Sequence, residues 1–425
     1  MTTPLVVSVV LLSSLAALPA LVWAGYLFVL TLASQRRPPL PPRSEVRFDV
    51  VVPAHDEETG IADTVRSLLS VEYPKDRFRV IVVADNCADA TASRAAGAGA
   101  TVLERTDPVH RGKGYALAHA FERSLSDAFA DAIVVVDADT TVSPNLLGAF
   151  AAHLAAGARA VQAEYGVRNP FSSWRTRLMV IALALFHVLR SVARERLGVS
   201  VGLRGNGMCF ASSLLREVPH DAFSIVEDVE YGIRIGLRGY RVHFASEARV
   251  LGEMVGSEKA SRSQRRRWES GRAALARAYR GKLVAAAWAG SRAPSERRIA
   301  LDLALDVFVP PLATVVGVTL AGLVASAVVA RLVGAPRVVA AASAPWALAL
   351  LLVVVYVARG VVLAGVGPRG IVDLAWAPVY MVWKVGLSLA ERTRGGKKGK
   401  STGDAAEWVR TTREAETQSA TREGG

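Results

Sequence analysis

Cysteine is nearly missing from this chain: Cys87 and Cys209 are the only two in 425 residues. Two isolated thiols argue against a disulfide framework and against a structural zinc site. Charge is missing from one long stretch, since no Asp, Glu, Lys or Arg occurs between Pro4 and Ser34. That stretch exceeds the roughly 20 apolar residues a helix needs to cross a bilayer. The basic residues Arg36, Arg37 and Arg43 follow it rather than precede it, which fits an uncleaved anchor with a cytoplasmic C-terminal end better than a cleaved signal peptide. No Gly-x-Gly-x-x-Gly follows the first apparent strand, and no strand runs into a glycine-rich Gly-Lys-Ser/Thr loop, which disfavours dinucleotide and P-loop sites. Acidic residues are in deficit, 38 against 51 basic, for a formal charge of +13. Much of the excess flanks apolar segments, at 262–267, 292–298 and 392–400, without interleaved aromatic residues. That placement suits anionic lipid headgroups and nucleotide phosphates, and no nucleic-acid partner is expected.

What is present is apolar sequence, 51% of the chain, arranged in two ways. After a proline-rich linker at 35–45, expected to lift the following domain off the membrane, strand and helix patterns alternate. Strands are expected at 48–53, 79–84, 101–103, 133–136 and 160–167, with helices at 60–69, 88–96 and 114–130 between them. Such alternation implies right-handed crossovers and a mostly parallel sheet. The fold class is α/β, with a ligand expected at the carboxyl edge of the strands.

Polar residues gather at those edges. The first strand runs into Pro53-Ala54-His55-Asp56-Glu57-Glu58, the second into the loop from Asp85 to Thr91. Arg111-Gly112-Lys113-Gly114 opens a helix, where two cations and a helix N-terminus suit an anion. The run Ile133-Val134-Val135-Val136 delivers Asp137 and Asp139, which an extended chain would place on one face. Two close carboxylates are costly unless a cation lies between them, and hard oxygen ligands favour magnesium or manganese. Taken singly, each of these features has a plain reading as a turn, a cap or a solvated acid. Their succession is what counts.

In that order these motifs resemble the nucleotide-sugar motifs of family 2 glycosyltransferases of the GT-A fold. Gly205-Asn206-Gly207-Met208, Val226-Glu227-Asp228 and Gln264-Arg265-Arg266-Arg267-Trp268 continue the resemblance. The last fits the Gln-x-x-Arg-Trp signature of membrane-bound members such as cellulose, chitin, hyaluronan and poly-N-acetylglucosamine synthases, and the ceramide glucosyltransferase-like members share its Arg-Trp. The resemblance implies a metal-dependent, inverting hexosyltransferase that uses a UDP-sugar and Mg2+ or Mn2+. Pro53, Ala54, Glu57, Asp85, Lys113, Asp137, Gln264 and Arg267 would serve the donor, although the family often has two adjacent acids where this chain has Ala84-Asp85. Asp139 is implied as principal metal ligand beside Asp137. Gly205, Asn206, Gly207, Glu227 and Trp268 would serve the acceptor, and Asp228 is the implied general base.

The layout expected is an N-terminal anchor at 1–34, a cytoplasmic GT-A domain at 46–280, a membrane region at 281–392 and a mobile tail at 393–425. Within the membrane region, spans are expected at 307–330 and 338–358, with Pro310 and Pro311 kinking the first. An interfacial or re-entrant helix is expected at 371–389, because Asp373, Pro378 and Lys384 interrupt it. A further helix at 174–197 has an apolar middle too short to span and reads as interfacial or buried. Such a chain is a multi-pass protein of a bacterial plasma membrane, acting on a lipid or a growing polysaccharide, with a homo-oligomer or a partner completing any channel. The rival reading is a catalytically silent nucleotide-sugar scaffold or sensor. Against it stands the joint presence of Asp137, Asp139, Asp228, Gln264, Arg267 and Trp268.

Overall fold

The computed structural model describes residues 3–171, 174–253, 258–333 and 336–375, with the side chains of 3, 4, 174, 175, 258–269, 333, 369, 371 and 373 outside that description. Eight strands form one sheet: β1 (Phe48–Ala54), β2 (Phe78–Asp85), β3 (Thr101–Arg105), β4 (Ala132–Val135), β5 (Thr140–Val142), β6 (Ala160–Val167), β7 (Met208–Ala211) and β8 (Val242–Gly252). Their order is β3-β2-β1-β4-β7-β6-β8-β5. The half from β3 to β4 is parallel throughout, as the alternating helices require. The other half is mixed, with β7 antiparallel to both β4 and β6, β8 parallel to β6, and β5 antiparallel to β8.

β1 lies in the interior and is buried along its whole length. Its side chains alternate between two cores: Val50 and Val52 join the helices at Ile61–Leu69 and Leu146–Ala155, whereas Val51 joins the helix at Lys113–Asp127 and the face of Phe210. The one buried charge on it, Asp49, is held by both arms of Arg79 at 2.8 Å and by Ser124 Oγ at 2.5 Å. A fully desolvated carboxylate is tolerated there because donors meet both of its oxygens.

Among the described residues, four helices are long and apolar enough to cross a membrane by length and composition: Leu5–Ala33, Thr176–Leu197, Leu312–Leu332 and Pro336–Ala364. The first and last run parallel. Ser13 donates to the Ala342 carbonyl at one end, and Arg359 donates to the Ser34 hydroxyl and carbonyl at the other. Ala17, Ala20, Ala24 and Leu27 form the stripe that meets Trp346, Ala349, Val353 and Tyr356. Small residues at helical spacing let the two backbones approach. The helix at Thr176–Leu197 is the most buried of the four, wedged beside this pair, with Tyr356 Oη donating to the Leu185 carbonyl at 2.8 Å.

Several expectations are corrected. The helix at 174–197, expected to be too short to span, is long and apolar enough to cross at Thr176–Leu197. The helix expected from 307 is two helices: Pro294–Phe308 ends before Pro310-Pro311, and a new one begins at Leu312. Two consecutive residues without an N–H remove two hydrogen bonds of the ladder, so the chain breaks where a kink was expected. The linker packs on the domain. Arg36 pairs with Glu164 at 2.6 Å, and Arg43 N–H donates to the Gly148 carbonyl, so the extended segment is laid along the domain surface. The second span runs at Pro336–Ala364 rather than 338–358. A short helix occupies Gly367–Leu374. The remainder of the helix expected at 371–389, and the tail with Trp408, lie outside the described residues.

Candidate active site

The site forms where β1, β2 and β4 end and the Gly205 loop and the helix Glu227–Leu237 approach them. At its centre, Lys113 Nζ donates to Asp137 Oδ1 at 2.5 Å and to the Gly205 carbonyl at 2.6 Å, and lies 3.8 Å from Glu227 Oε1. Burial opposes the charge on Lys113, but Asp137 and Glu227 outweigh it and hold the ammonium above its ordinary range. Lys113 reaches this point because its helix begins there. Gly112 precedes it at φ 127°, and a Cβ on Gly114 would stand 2.5 Å from the Ala222 carbonyl oxygen, so only glycine lets the helix start so close to that stretch of chain.

Asp137 and Asp139 do not lie along an extended strand. β4 stops at Val135, and Thr140 N–H donates to the Asp137 carbonyl at 3.2 Å, so a tight turn presents both acids at the sheet edge. Asn206 fixes that turn. It is fully buried, its Oδ1 accepts from the Asp137 N–H at 3.2 Å, and its Nδ2 donates to Thr140 Oγ1 at 2.7 Å. Gln162, equally buried, donates to the Asn206 carbonyl at 2.7 Å and accepts from the Arg204 N–H at 2.9 Å. Asn206 is therefore part of the frame beneath the site. Gly207 is too, since a Cβ there would lie 2.7 Å from Val250 Cγ2. Gly205 does face the site: at φ 79°, its missing Cβ would stand 3.3 Å from Asp228 Oδ2 and 3.7 Å from Lys113 Nζ.

Glu227 and Asp228 occupy the first turn of the helix Glu227–Leu237. Glu227 is buried and Asp228 half-buried. Burial pushes both carboxyl groups up, and Lys113 pulls both back. Asp85 is almost wholly enclosed at the end of β2, where Arg105 Nη1 donates to it at 2.5 Å and Asn86 Nδ2 at 3.1 Å. Pro53 and Ala54 are buried at the end of β1. The Glu57 N–H donates to Thr91 Oγ1 at 2.7 Å, which ties the β1 and β2 loops together. Gln264, Arg267 and Trp268 fall on the helix Glu258–Trp288, and their side chains lie outside the described ones.

Three participants carry no motif. Tyr165 is on β6, and burial together with Asp139 and Asp137 raises its hydroxyl above the ordinary range. Arg105 seals Asp85. Gln162 supports Asn206. The alternation of β6 was legible, but nothing in it marked Gln162 or Tyr165 as facing the acids.

A parallel half-sheet whose carboxyl edge carries paired acids and a lysine at a helix start is the frame of a nucleotide-sugar transferase of the GT-A kind. Among solved structures the chain resembles the mannosyltransferase PcManGT from Pyrobaculum calidifontis, determined in complex with GDP-Man and Mn2+, at a TM-score of 0.53 and 17% identity, over 84% of this chain and 98% of that one. Residues 43–271, more than half of the chain, match the model of the glycosyltransferase-like family 2, and the chain belongs to that family. It is 28% identical over 243 residues to a probable glycosyltransferase, YdaM, of Bacillus subtilis, covering 53% of this chain and 55% of that protein. It is 29% identical over 229 residues to the beta-monoglucosyldiacylglycerol synthase of Synechocystis, covering 52% and 47%. The chain thus spans about half the length of these curated relatives.

Proposed function

We propose that the protein is a membrane-embedded, metal-dependent inverting glycosyltransferase that moves a hexose from a UDP-sugar to a membrane-associated acceptor, a lipid or a growing polysaccharide. The observation that carries this reading is the convergence of Lys113, Asp137 and the pair Glu227-Asp228, from three separate segments of the chain, around Gly205 on a fourth. The Synechocystis relative, named for a diacylglycerol glycolipid, supports a lipid acceptor, and the domain lies directly against the parallel apolar helices.

In this reading Asp228 takes the proton from the acceptor hydroxyl as that oxygen attacks the anomeric carbon from the side opposite the leaving nucleotide, which inverts the configuration. Half-burial keeps water from competing for the carboxylate, and Gly205 leaves the room beside it that an approaching sugar needs. Asp85 and the β1 edge at Pro53, Ala54 and Glu57 face the nucleoside, while Gln264 and Arg267 serve the donor and Trp268 the acceptor. Asp139 and Asp137 offer the hard oxygen donors that Mg2+ or Mn2+ takes, a fit in keeping with the Mn2+ bound by the mannosyltransferase of the same fold. Such an ion, when bound, neutralises charge on the departing diphosphate. Lys113 holds Asp137 in place and supplies a second positive charge at the same edge.

The membrane arrangement follows from the same reading. The parallel helices at Leu5–Ala33 and Pro336–Ala364 end on the domain's side, the basic residues Arg36, Arg37 and Arg359 cluster there, and that side is the cytoplasm of a bacterial plasma membrane. The decisive experiment offers the full chain in lipid nanodiscs a panel of UDP-sugars with Mn2+ or Mg2+ and bacterial lipid extract, reading products by mass spectrometry. A mass gain of one or more hexose units, absent from Asp228→Asn, is expected. No product beyond that control would sink the reading.

A further inference from the structure

Behind the site, on the membrane side, lies a group of arginines that the transfer chemistry does not use. Three guanidinium groups surround the Phe186 ring, with Arg204 at 4.6 Å, Arg272 at 4.8 Å and Arg190 at 4.9 Å from its centroid. A fourth, Arg194, lies beside them. Two carboxylates answer these four cations. Asp306 takes Arg190 at 3.0 Å, Arg194 at 2.8 Å and Arg272 at 3.7 Å, and Asp302 takes Arg194 at 3.2 Å. Asp228 also reaches Arg204 and Arg272 electrostatically, so among the described side chains the cluster carries at least one positive charge more than the acids around it neutralise.

The excess is not dissipated in water. Arg190, Arg194 and Arg204 are each at least nine-tenths buried. Arg204 spends one Nη on the Val201 carbonyl at 3.1 Å, while its Nε is buried with no partner among the described residues. His187 Nδ1 is likewise buried and without a partner among them. Desolvation and the neighbouring arginines push Arg204 down to about 9, against the pull of Asp306. Isolated buried charge of this kind is costly unless something pairs with it. The cluster is also not sealed, since the Arg272 side chain keeps 27% of its exposure.

We propose that this recess binds a phosphoryl group, the headgroup phosphate of an anionic lipid being the source its position favours. The inference rests on the transferase reading only for what the occupant lies next to. Arg204 immediately precedes Gly205, which faces Asp228, so a phosphate held on Arg204 and Arg272 brings its lipid's polar head beside the base. Phe186 and Arg190 sit on the helix Thr176–Leu197, of membrane-spanning composition, so acyl chains find apolar surface along it. A planar guanidinium pair matches a phosphate's oxygens in fork geometry.

The test is native mass spectrometry of the full chain released from detergent with dioleoyl phosphatidate, with dioleoylglycerol as the lipid lacking phosphate. Mn2+–UDP binding is followed separately by intrinsic fluorescence. One retained phosphatidate, no retained dioleoylglycerol, and a loss of retention of about tenfold or more in both Arg272→Gln and Arg204→Gln are expected, since a hydrogen bond to a charged group contributes about 1.5–3 kcal/mol. UDP binding stays within about twofold. Partial recovery in Arg272→Lys, which restores the charge without the fork, and an unfolding temperature close to the parent's separate lost recognition from lost folding, and Arg272→Gln decides alone if Arg204→Gln does not fold. Displacement by millimolar inorganic phosphate as readily as by lipid upholds phosphoryl recognition and makes the free anion the occupant. Equal retention of the two lipids, or retention unchanged in Arg272→Gln, overturns the proposal. A parallel loss of UDP binding also overturns it, by assigning the arginines to the donor. Sugar transfer is scored apart from all of these, so its failure is a separate result.

Discussion

Lys113 Nζ stands 2.5 Å from the Asp137 carboxylate, a cation already in place at the acid pair where a divalent ion is proposed to bind. The arrangement predicts a trade. Removing the ammonium in Lys113→Met leaves Asp137 and Glu227 short of a counter-charge, and because the pair is only half-buried the cost falls below the about 3–5 kcal/mol of a fully buried pair. The unfolding temperature should fall, and added Mn2+ should restore part of the loss by replacing the missing charge. A drop that Mn2+ does not touch would remove Asp137 from the metal site.

Asp228→Asn should leave donor binding intact and reduce transfer by about 10²–10⁴-fold, the usual contribution of a positioned base. Single-turnover rates beside UDP affinity check both halves of the statement.

The acid limb of the pH profile should lie above the ordinary carboxylate range. Burial raises the Asp228 carboxyl, the base works only when deprotonated, and activity therefore climbs with pH through that raised value. A kcat/KM limb at the position of a free aspartate would mean that Asp228 is solvated or is not the base. The same direction holds for Glu227 and has a stability consequence of opposite sense. A carboxyl whose folded value is raised contributes stability at low pH and loses it as pH rises through the folded value. Unfolding temperature should fall less steeply with pH in Glu227→Gln than in the parent.

Asn206→Ala should slow transfer more than it unfolds the chain. It strips partners from the Asp137 N–H and Thr140 Oγ1, a cost of about 1–3 kcal/mol, and releases the turn that aims the acids. A variant with lowered stability and an unchanged kcat would show that the turn holds without it.

Gly360→Leu should loosen the membrane bundle. A Cβ at Gly360 would stand 2.2 Å from Leu185 Cδ2, and overpacking of this kind costs about 1–3 kcal/mol. Thermal unfolding in detergent checks it, with Gly317→Leu, where nothing lies within 4 Å, as the control.

The acids at 137, 139 and 228 and the lysine at 113 were legible because each sits where a strand ends or a helix starts, and such places have a sequence signature. The turn between Asp137 and Thr140 was not, because a β-branched run gives no sign of the residue at which it leaves the sheet. The helix Pro294–Phe308 was passed over for a related reason. Its Asp302 and Asp306 meet arginines more than a hundred residues earlier, a pairing that no local pattern announces. Arg298, read as lipid-facing, donates to the Leu197 carbonyl at 2.6 Å. Charge runs announce themselves in sequence, but their partners come from the tertiary fold.

The clasp between Arg359 and Ser34 joins positions 325 residues apart. At about 5–20 residues per second of synthesis, the stripe of Ala17, Ala20 and Ala24 waits roughly 15 to 65 s before its partner helix is made. During that interval the apolar stripe has no helix to meet, and the packing of the first helix is completed only when the segment at Pro336–Ala364 is made.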